Sequence, residues 1–154
     1  MSRITIIPIV LATVAAAVVA SCSDSSEPSH DPQVNFQPGP ATFPAGSEIA
    51  VMQGDPSQTG VYTVRLRFPA GYRLPPHFHP TDENVTVLDG TFLVGMGDSI
   101  DLSSVVTLHA DGFITAPAQA HHFAVAQGPT IVQVHGEGPF AITYVNPADD
   151  PANQ

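Results

Sequence analysis

The sequence "GYRLPPHFHPTDENVTVLDG", residues 71–90, joins a strand pattern to a cluster of ionisable side chains. His77 and His79 stand two positions apart, so on a strand both side chains point to the same face. Glu83 opens the next run, "ENVTVL", in which valines occupy every second position after it. A carboxylate on the valine face of a strand is predicted to point into the protein.

The sequence on both sides of this stretch repeats with a period of two. "VYTVRLRF", residues 61–68, alternates apolar and polar residues, and later apolar runs such as "SVVTLHA", "HFAVA" and "TIVQVH" are separated by turn residues. The pair Asp89–Gly90, between "ENVTVL" and "TFLVGM", predicts a β-hairpin. No stretch after residue 22 has a convincing helical period. The pattern predicts an all-β sandwich or barrel over residues 47–147.

Length and charge exclude several classes of protein. The chain has 154 residues, which suits a single domain. It contains no lysine and four arginines, and its net charge is −10 with histidine neutral. This charge would repel a nucleic-acid backbone, and it would not hold the chain on an anionic membrane. We therefore expect no nucleic-acid partner.

The inward-pointing imidazoles and carboxylate need partners, because burying such groups unpaired is costly. A divalent metal ion would satisfy His77, His79 and Glu83 together. A fourth ligand is available in "PAQAHHF", where His121 and His122 are adjacent. Neighbouring residues on a strand point to opposite faces, so only one of these two can face the metal.

The spacing of this cluster resembles the first sequence motif of the cupin superfamily. Gly71, His77, His79, Glu83 and Gly90 match its pattern, G-x5-H-x-H-x3-E-x6-G, at every position. The resemblance extends over residues 45–145 and implies a single-domain double-stranded β-helix, also called a jelly-roll barrel.

The second cupin motif, G-x5-P-x-G-x2-H-x3-N, is matched more loosely. Gly112, Pro117 and His122 follow its order, but the first interval is one residue short. Gln119 stands where glycine is usual, and Ala126 stands where asparagine is usual. The interval from Pro117 to His122 is that of the family, and it favours His122 over His121.

The resemblance implies a metal bound by His77, His79, Glu83 and His122. Three imidazoles and one carboxylate suit Fe²⁺, Mn²⁺, Ni²⁺, Cu²⁺ or Zn²⁺. Cupins include dioxygenases, decarboxylases and isomerases as well as storage proteins and sensors, so the fold does not select an activity. Three hypotheses follow: a metal-dependent enzyme acting on a small organic molecule, a non-catalytic module that binds or senses such a molecule or the metal, or a structural or interaction protein that has kept the site. A homodimer is compatible with each of these hypotheses.

Three further residues are candidates for the lining of this site. His135 precedes a glycine-rich turn, where it would reach a barrel mouth, and Arg65 and Arg67 share one strand face, where one of them would meet an anionic substrate. The alternative for the two arginines is a solvated or ion-paired strand face, and the alternative for His135 is a pair with Glu137. His121 is expected on the outer face as well.

The N-terminus predicts export. Arg3 precedes an apolar run, residues 4–20, which is typical of a signal peptide over residues 1–21. The ending "VASC" resembles the lipobox of bacterial lipoproteins and implies lipidation of Cys22, the single cysteine. This resemblance implies a bacterial cell-envelope lipoprotein, on the periplasmic side or the extracellular face, held to the membrane by its N-terminal lipid. An ordinary signal peptide or an uncleaved anchor helix is the alternative.

A segment rich in proline and serine, residues 22–46, separates this leader from the barrel. It is predicted to be a tether. The alternative is an arm packed along the barrel through Phe36 and Phe43, and the two descriptions can hold for different halves. Residues 148–154 form a predicted C-terminal tail.

Overall fold

The structure, a computed structural model, describes residues 34–153. This part of the chain is built from β-strands, followed by two short 3₁₀ helices, Pro147–Asp149 and Pro151–Asn153. The strands are β1 (Gln37–Pro38), β2 (Glu48–Gln53), β3 (Gly60–Phe68), β4 (Arg73–Phe78), β5 (Glu83–Asp89), β6 (Thr91–Met96), β7 (Val105–His109), β8 (Phe113–Ala116), β9 (His122–Ala126), β10 (Thr130–Gly138) and β11 (Thr143–Tyr144).

The strands form two antiparallel sheets. One has the order β1-β2-β3-β10-β5-β8, and the other has the order β11-β4-β9-β6-β7. Strands that are consecutive in the chain often lie in different sheets, as in a jelly roll. The predicted all-β jelly-roll fold is confirmed.

The core lies between the inner faces of the two sheets. Tyr62, Val64, Leu66 and Phe68 alternate along β3 and are all buried, as the period-two pattern predicts. Val64 is paired in register with Val134 of β10, which is paired in turn with Val85 of β5. Burying one such side chain contributes about 1.5–3 kcal/mol relative to exposure.

The predicted hairpin at Asp89–Gly90 is wrong. Strand β5 pairs with β10 and β8, whereas β6 pairs with β7 and β9, so the turn carries the chain from one sheet to the other. Gly90 has φ 87° and passes so close to Pro129 and Thr130 that a Cβ atom there would lie 2.4 Å from the Pro129 carbonyl oxygen. A glycine with positive φ stands at the predicted position, but Asp89 does not share that conformation and the turn serves a crossover between the sheets.

The end of the predicted tether is in contact with the barrel. Strand β1 pairs with β2, and the side chain of Phe43 is buried in the core. The hydroxyl of Tyr72 donates to the Pro44 carbonyl, and that of Tyr144 donates to the Thr42 carbonyl at 2.8 Å. The packed-arm alternative therefore describes residues 34–46, and the rest of the tether lies outside the described residues.

The predicted signal peptide and Cys22 also lie outside the described residues. Between residues 34 and 153, no helix has the length and apolar character needed to cross a membrane.

Two glycines of the first motif provide a matched test of this packing. Gly71 (φ 75°) and Gly90 both have left-handed backbones, but a Cβ atom on Gly71 would meet nothing within 4 Å. We expect Gly71→Ala to cost about 1–2 kcal/mol, the strain of that backbone alone. Gly90→Ala should cost about 2–5 kcal/mol, because the main chain at Pro129 must also move. Urea denaturation measures both costs, and equal losses would contradict the close approach at Gly90.

Candidate metal centre

Four side chains from three strand regions converge inside the barrel. His77 of β4 is the direct cross-strand partner of His122 of β9. His79 follows the end of β4, and Glu83 is the first residue of β5. The three histidines are no more than 3% exposed, and each offers a nitrogen within 4.8 Å of the others. The structure thus brings together the four residues of the predicted ligand set.

Each of the three histidines is oriented by a hydrogen bond from Nδ1 to a backbone carbonyl. The acceptors are Pro75 for His77 at 2.7 Å, Ala141 for His79 at 2.7 Å, and Ala120 for His122 at 2.9 Å.

A carbonyl oxygen only accepts, so Nδ1 carries the proton and Nε2 of each neutral ring is left with a lone pair. Such bonds are the usual way in which a protein orients metal-binding histidines.

The Nε2 lone pairs meet a carboxylate. Oε2 of Glu83 lies 3.4 Å from Nε2 of His79 and 3.5 Å from Nε2 of His122. Both distances are too long for charge-assisted hydrogen bonds, and both nitrogens are buried without a hydrogen-bond partner. Buried acceptors that face one another require a cation between them. Three nitrogen donors and one oxygen donor fit a divalent transition metal ion, so the residues present fit the implied metal.

The electrostatics of the cluster agree with this donor set. Burial, together with His122 and His79, lowers the pKa of His77 to about 3, so this ring is neutral at pH 7. Burial alone would lower the pKa of His79, but Glu83 outweighs it and the pKa is raised. Burial alone would raise the pKa of Glu83, but His122 and His79 reverse this and the pKa is lowered. Glu83 is therefore ionised, and without a metal His79 is protonated more readily than a free histidine.

The cavity beside these residues is small and apolar. The space open to the centre of a water-sized sphere is about 20 Å³, room for little more than one water molecule. Its walls are formed by aliphatic and aromatic side chains, among them Phe43, Leu66, Val85 and Ala124. A metal placed here would therefore face a mostly dry surface.

The other candidates lie away from this cavity. Arg65 donates to Gln133 at 3.3 Å, and Arg67 forms an ion pair with Glu48 at 2.9 Å on the outer face of the sheet. His135 alternates with the buried residues of β10 and lines a separate surface recess. The structure does not bring these three residues to the site: the ion-paired strand face describes Arg67, Arg65 is half-buried beside Gln133, and His135 lines the separate recess together with Glu137.

His121 points away from the cluster. Its Nδ1 lies 2.6 Å from Asp98, and its ring stacks on Phe78. This agrees with the expected outer position.

Sequence reasoning missed two groups that hold His79. The Ala141 carbonyl is 62 residues away in the chain, and backbone carbonyls leave no composition signal. Gln119 donates to the His79 carbonyl from both its backbone nitrogen at 2.9 Å and its side-chain amide at 3.2 Å. Gln119 has φ 62°, which explains why glycine is usual at this position of the motif.

Comparison with known families shows which family the chain belongs to. A family model described as the ChrR cupin-like domain matches residues 30–141, most of the chain. The chain belongs to the ChrR cupin-like family. No curated protein sequence matches it.

Solved structures share the cupin fold. A candidate acetylacetone dioxygenase from Methylibium petroleiphilum is 19% identical with a TM-score of 0.60, over 93% of this chain and 90% of that one. An RmlC-like cupin from Shewanella frigidimarina is 16% identical with a TM-score of 0.54, over 68% and 84%. An oxalate oxidase is 24% identical with a TM-score of 0.52, over 71% and 60%. At these identities the likeness extends to the fold alone.

The adjacent histidines provide a matched test of the ligand assignment. We expect His122→Ala to lower the bound metal at least tenfold, because it removes a convergent Nε2 donor. His121→Ala should retain the metal, because its ring pairs with Asp98 outside the cavity. Elemental analysis of the purified variants measures both. Loss of metal from His121→Ala and its retention in His122→Ala would overturn the assignment.

Removal of the metal should destabilise the fold in a pH-dependent way. A metal at 100 times its dissociation constant stabilises the folded chain by about 2.7 kcal/mol. It competes with the proton on His79, whose raised pKa extends this competition above pH 6.5. That proton also stabilises the metal-free fold below about pH 6.5, and the contribution is lost as the pH rises through the raised pKa. Chelation should therefore lower the melting temperature at pH 7.5, and by less at pH 5. An unchanged melting curve at pH 7.5 after verified metal removal would contradict this.

Proposed function

We propose that this protein is a metal-dependent cupin of the cell envelope that acts on a small organic molecule, in an oxygenase-type reaction. One observation carries the proposal. Three buried imidazoles, two of them with a partnerless Nε2, and an ionised carboxylate converge beside an apolar cavity, and no arginine among residues 34–153 lines it. Such a donor set binds a divalent metal, and the adjacent cavity has room for one oxygen group of a small ligand.

The residues of the chain have separate tasks in this proposal. His77, His79, His122 and Glu83 would hold the metal, and the Pro75, Ala120 and Ala141 carbonyls keep the rings aimed. A bound metal would supply a Lewis-acidic contact for an oxygen donor of the substrate and, if it is Fe²⁺, redox chemistry. Apolar walls such as Val85 and Leu66 exclude bulk water, which strengthens electrostatic interactions at the centre.

The names of two structural neighbours support oxidation as the reaction class to test first. One is a candidate acetylacetone dioxygenase and the other an oxalate oxidase. Both names describe oxidation of a small molecule with more than one oxygen donor, a type of ligand that can chelate a metal. The envelope location rests on the sequence before residue 34, above all on the "VASC" ending and Cys22.

A non-catalytic binding or sensing module is the second candidate function. The inner cavity favours this function because it leaves little room for a substrate beside the metal. The lining of the cavity favours it as well. Apart from the four predicted ligands, no acidic or basic side chain within residues 34–153 faces this cavity. A general acid or base would therefore have to come from Glu83 or from the substrate.

The test is a comparison of metals on one protein. The full chain, purified in detergent and stripped of metal, is reloaded with Fe²⁺ or Zn²⁺ and offered diketones, catechols, 2-oxo acids and sugars. We expect one class to cause O₂ uptake with Fe²⁺ but not with Zn²⁺, because zinc has no redox chemistry. His122→Ala should abolish the uptake, and His121→Ala should retain it.

Each other outcome has a distinct meaning. Heat of binding without O₂ uptake would replace the oxygenase proposal with the binding module. No signal of either kind from a fully loaded protein would contradict both functions.

A further inference from the structure

Two aromatic rings, those of Phe43 and Phe140, lie between the predicted metal centre and a neighbouring recess. An inner cavity of about 20 Å³ contains the cluster, and an outer recess of about 200 Å³ lies beside it. Phe43, Leu66 and Val134 line both spaces, whereas Phe140 lines the outer one. The two spaces are therefore neighbours that share walls, and the aromatic side chains lie between them.

Phe140 covers the ring of a predicted metal ligand. Its centroid lies 5.1 Å from that of His79, with the planes 32° apart. Phe43 and Tyr62 contact it from other sides, with centroids at 6.1 and 5.9 Å. A ligand moving from the outer recess to His79 must displace Phe140 or pass between it and Phe43.

The outer recess has an apolar and uncharged lining. Its polar side chains are those of Thr42 and Ser57, and the rest of its wall is proline, aliphatic or phenylalanine. No arginine of the described chain reaches either space, since Arg65 and Arg67 are engaged on the outer sheet face. A charged group on a ligand in this recess would therefore lose its hydration without gaining a partner of opposite charge.

We propose that Phe43 and Phe140 form an aromatic gate that admits ligands with one metal-binding oxygen group and an uncharged, apolar body. The oxygen group would reach the metal in the inner cavity, and the body would occupy the outer recess. The inference rests on the proposed function in one respect, namely that the cluster holds a metal. It adds the class of ligand and the residues that select it.

The position of Phe140 allows its ring to be removed while the support of His79 is kept. The residue lies between β10 and β11 and is half-buried, and its backbone nitrogen donates to the Pro56 carbonyl at 2.7 Å. The next residue, Ala141, holds His79 through its backbone carbonyl. Because both bonds are made by the main chain, Phe140→Ala removes the ring and keeps them.

Three hydroxamic acids with one chelating group test the proposal. Acetohydroxamic acid has a methyl body, benzohydroxamic acid has an apolar ring, and 4-carboxybenzohydroxamic acid adds a charge to that ring. The full chain is loaded with Co²⁺, whose visible absorption reports coordination, and is mixed with each compound in a stopped-flow spectrometer.

For the unaltered chain, we expect benzohydroxamic acid to bind at least tenfold more tightly than its carboxylated analogue. Phe140→Ala should raise the association rate of benzohydroxamic acid at least tenfold and that of acetohydroxamic acid by less than threefold. Phe43→Ala should act in the same direction. Phe113→Ala, at a phenylalanine that is 54% exposed on β8, is the control and should change neither rate.

Equal affinities for the charged and uncharged ring compounds would overturn the ligand class, and unchanged rates in Phe140→Ala and Phe43→Ala would overturn the gate. Phe140→Leu keeps apolar packing on His79 and replaces Phe140→Ala if the latter fails to fold. A chain that does not take up Co²⁺ would contradict the metal centre itself, so failure of the proposed function is distinguished from failure of the gate.

Discussion

The convergence of unprotonated imidazole nitrogens on a carboxylate at the centre of the barrel is the constraint on which the rest of the structure depends. His77 and His122 face each other because β4 and β9 are paired in that register. His79, which follows the end of β4, and Glu83, the first residue of β5, complete the cluster. A shift of either strand by one residue would move its histidine to the opposite face. The register of this sheet therefore determines whether the candidate metal centre can form.

The supports of the cluster are partly local and partly distant in the chain. The Pro75 and Ala120 carbonyls, each two residues before the histidine that they hold, lie within β4 and just before β9, whereas the Ala141 carbonyl reaches His79 from beyond β10 and Gln119 holds the backbone of His79. Ala141, whose carbonyl orients the ring of His79, directly follows Phe140, whose side chain covers that ring. Two adjacent residues therefore act on the same predicted metal ligand. The N-terminal arm adds Phe43 from the other side. The proposed gate is thus built from the segment before β2, which carries Phe43, and the segment after β10, which carries Phe140.

Much of the fold and of the cluster could be predicted from the sequence, because both depend on local spacing. Period-two alternation identified β3 and the inward side of β5, and the spacing of His77, His79 and Glu83 brought these residues to one face. The turn at Gly90 was recognised but misassigned, since a glycine with positive φ serves a hairpin and a crossover equally well. The roles of Ala141 and Phe140 were not predictable. They arise from tertiary packing, and nothing in their local sequence indicates it.

X-ray absorption spectroscopy at the metal edge of the loaded, full-length protein tests the central claim most directly. The structure predicts three imidazole nitrogens and one carboxylate oxygen at about 2.0–2.2 Å for a metal such as Zn²⁺, with the outer-ring scattering typical of histidine. The spectrum should stay unchanged in His121→Ala, whereas His122→Ala, loaded at a metal concentration high enough to offset its weaker binding, should lose one imidazole. A spectrum with oxygen ligands alone, or with a sulfur ligand, would contradict the account.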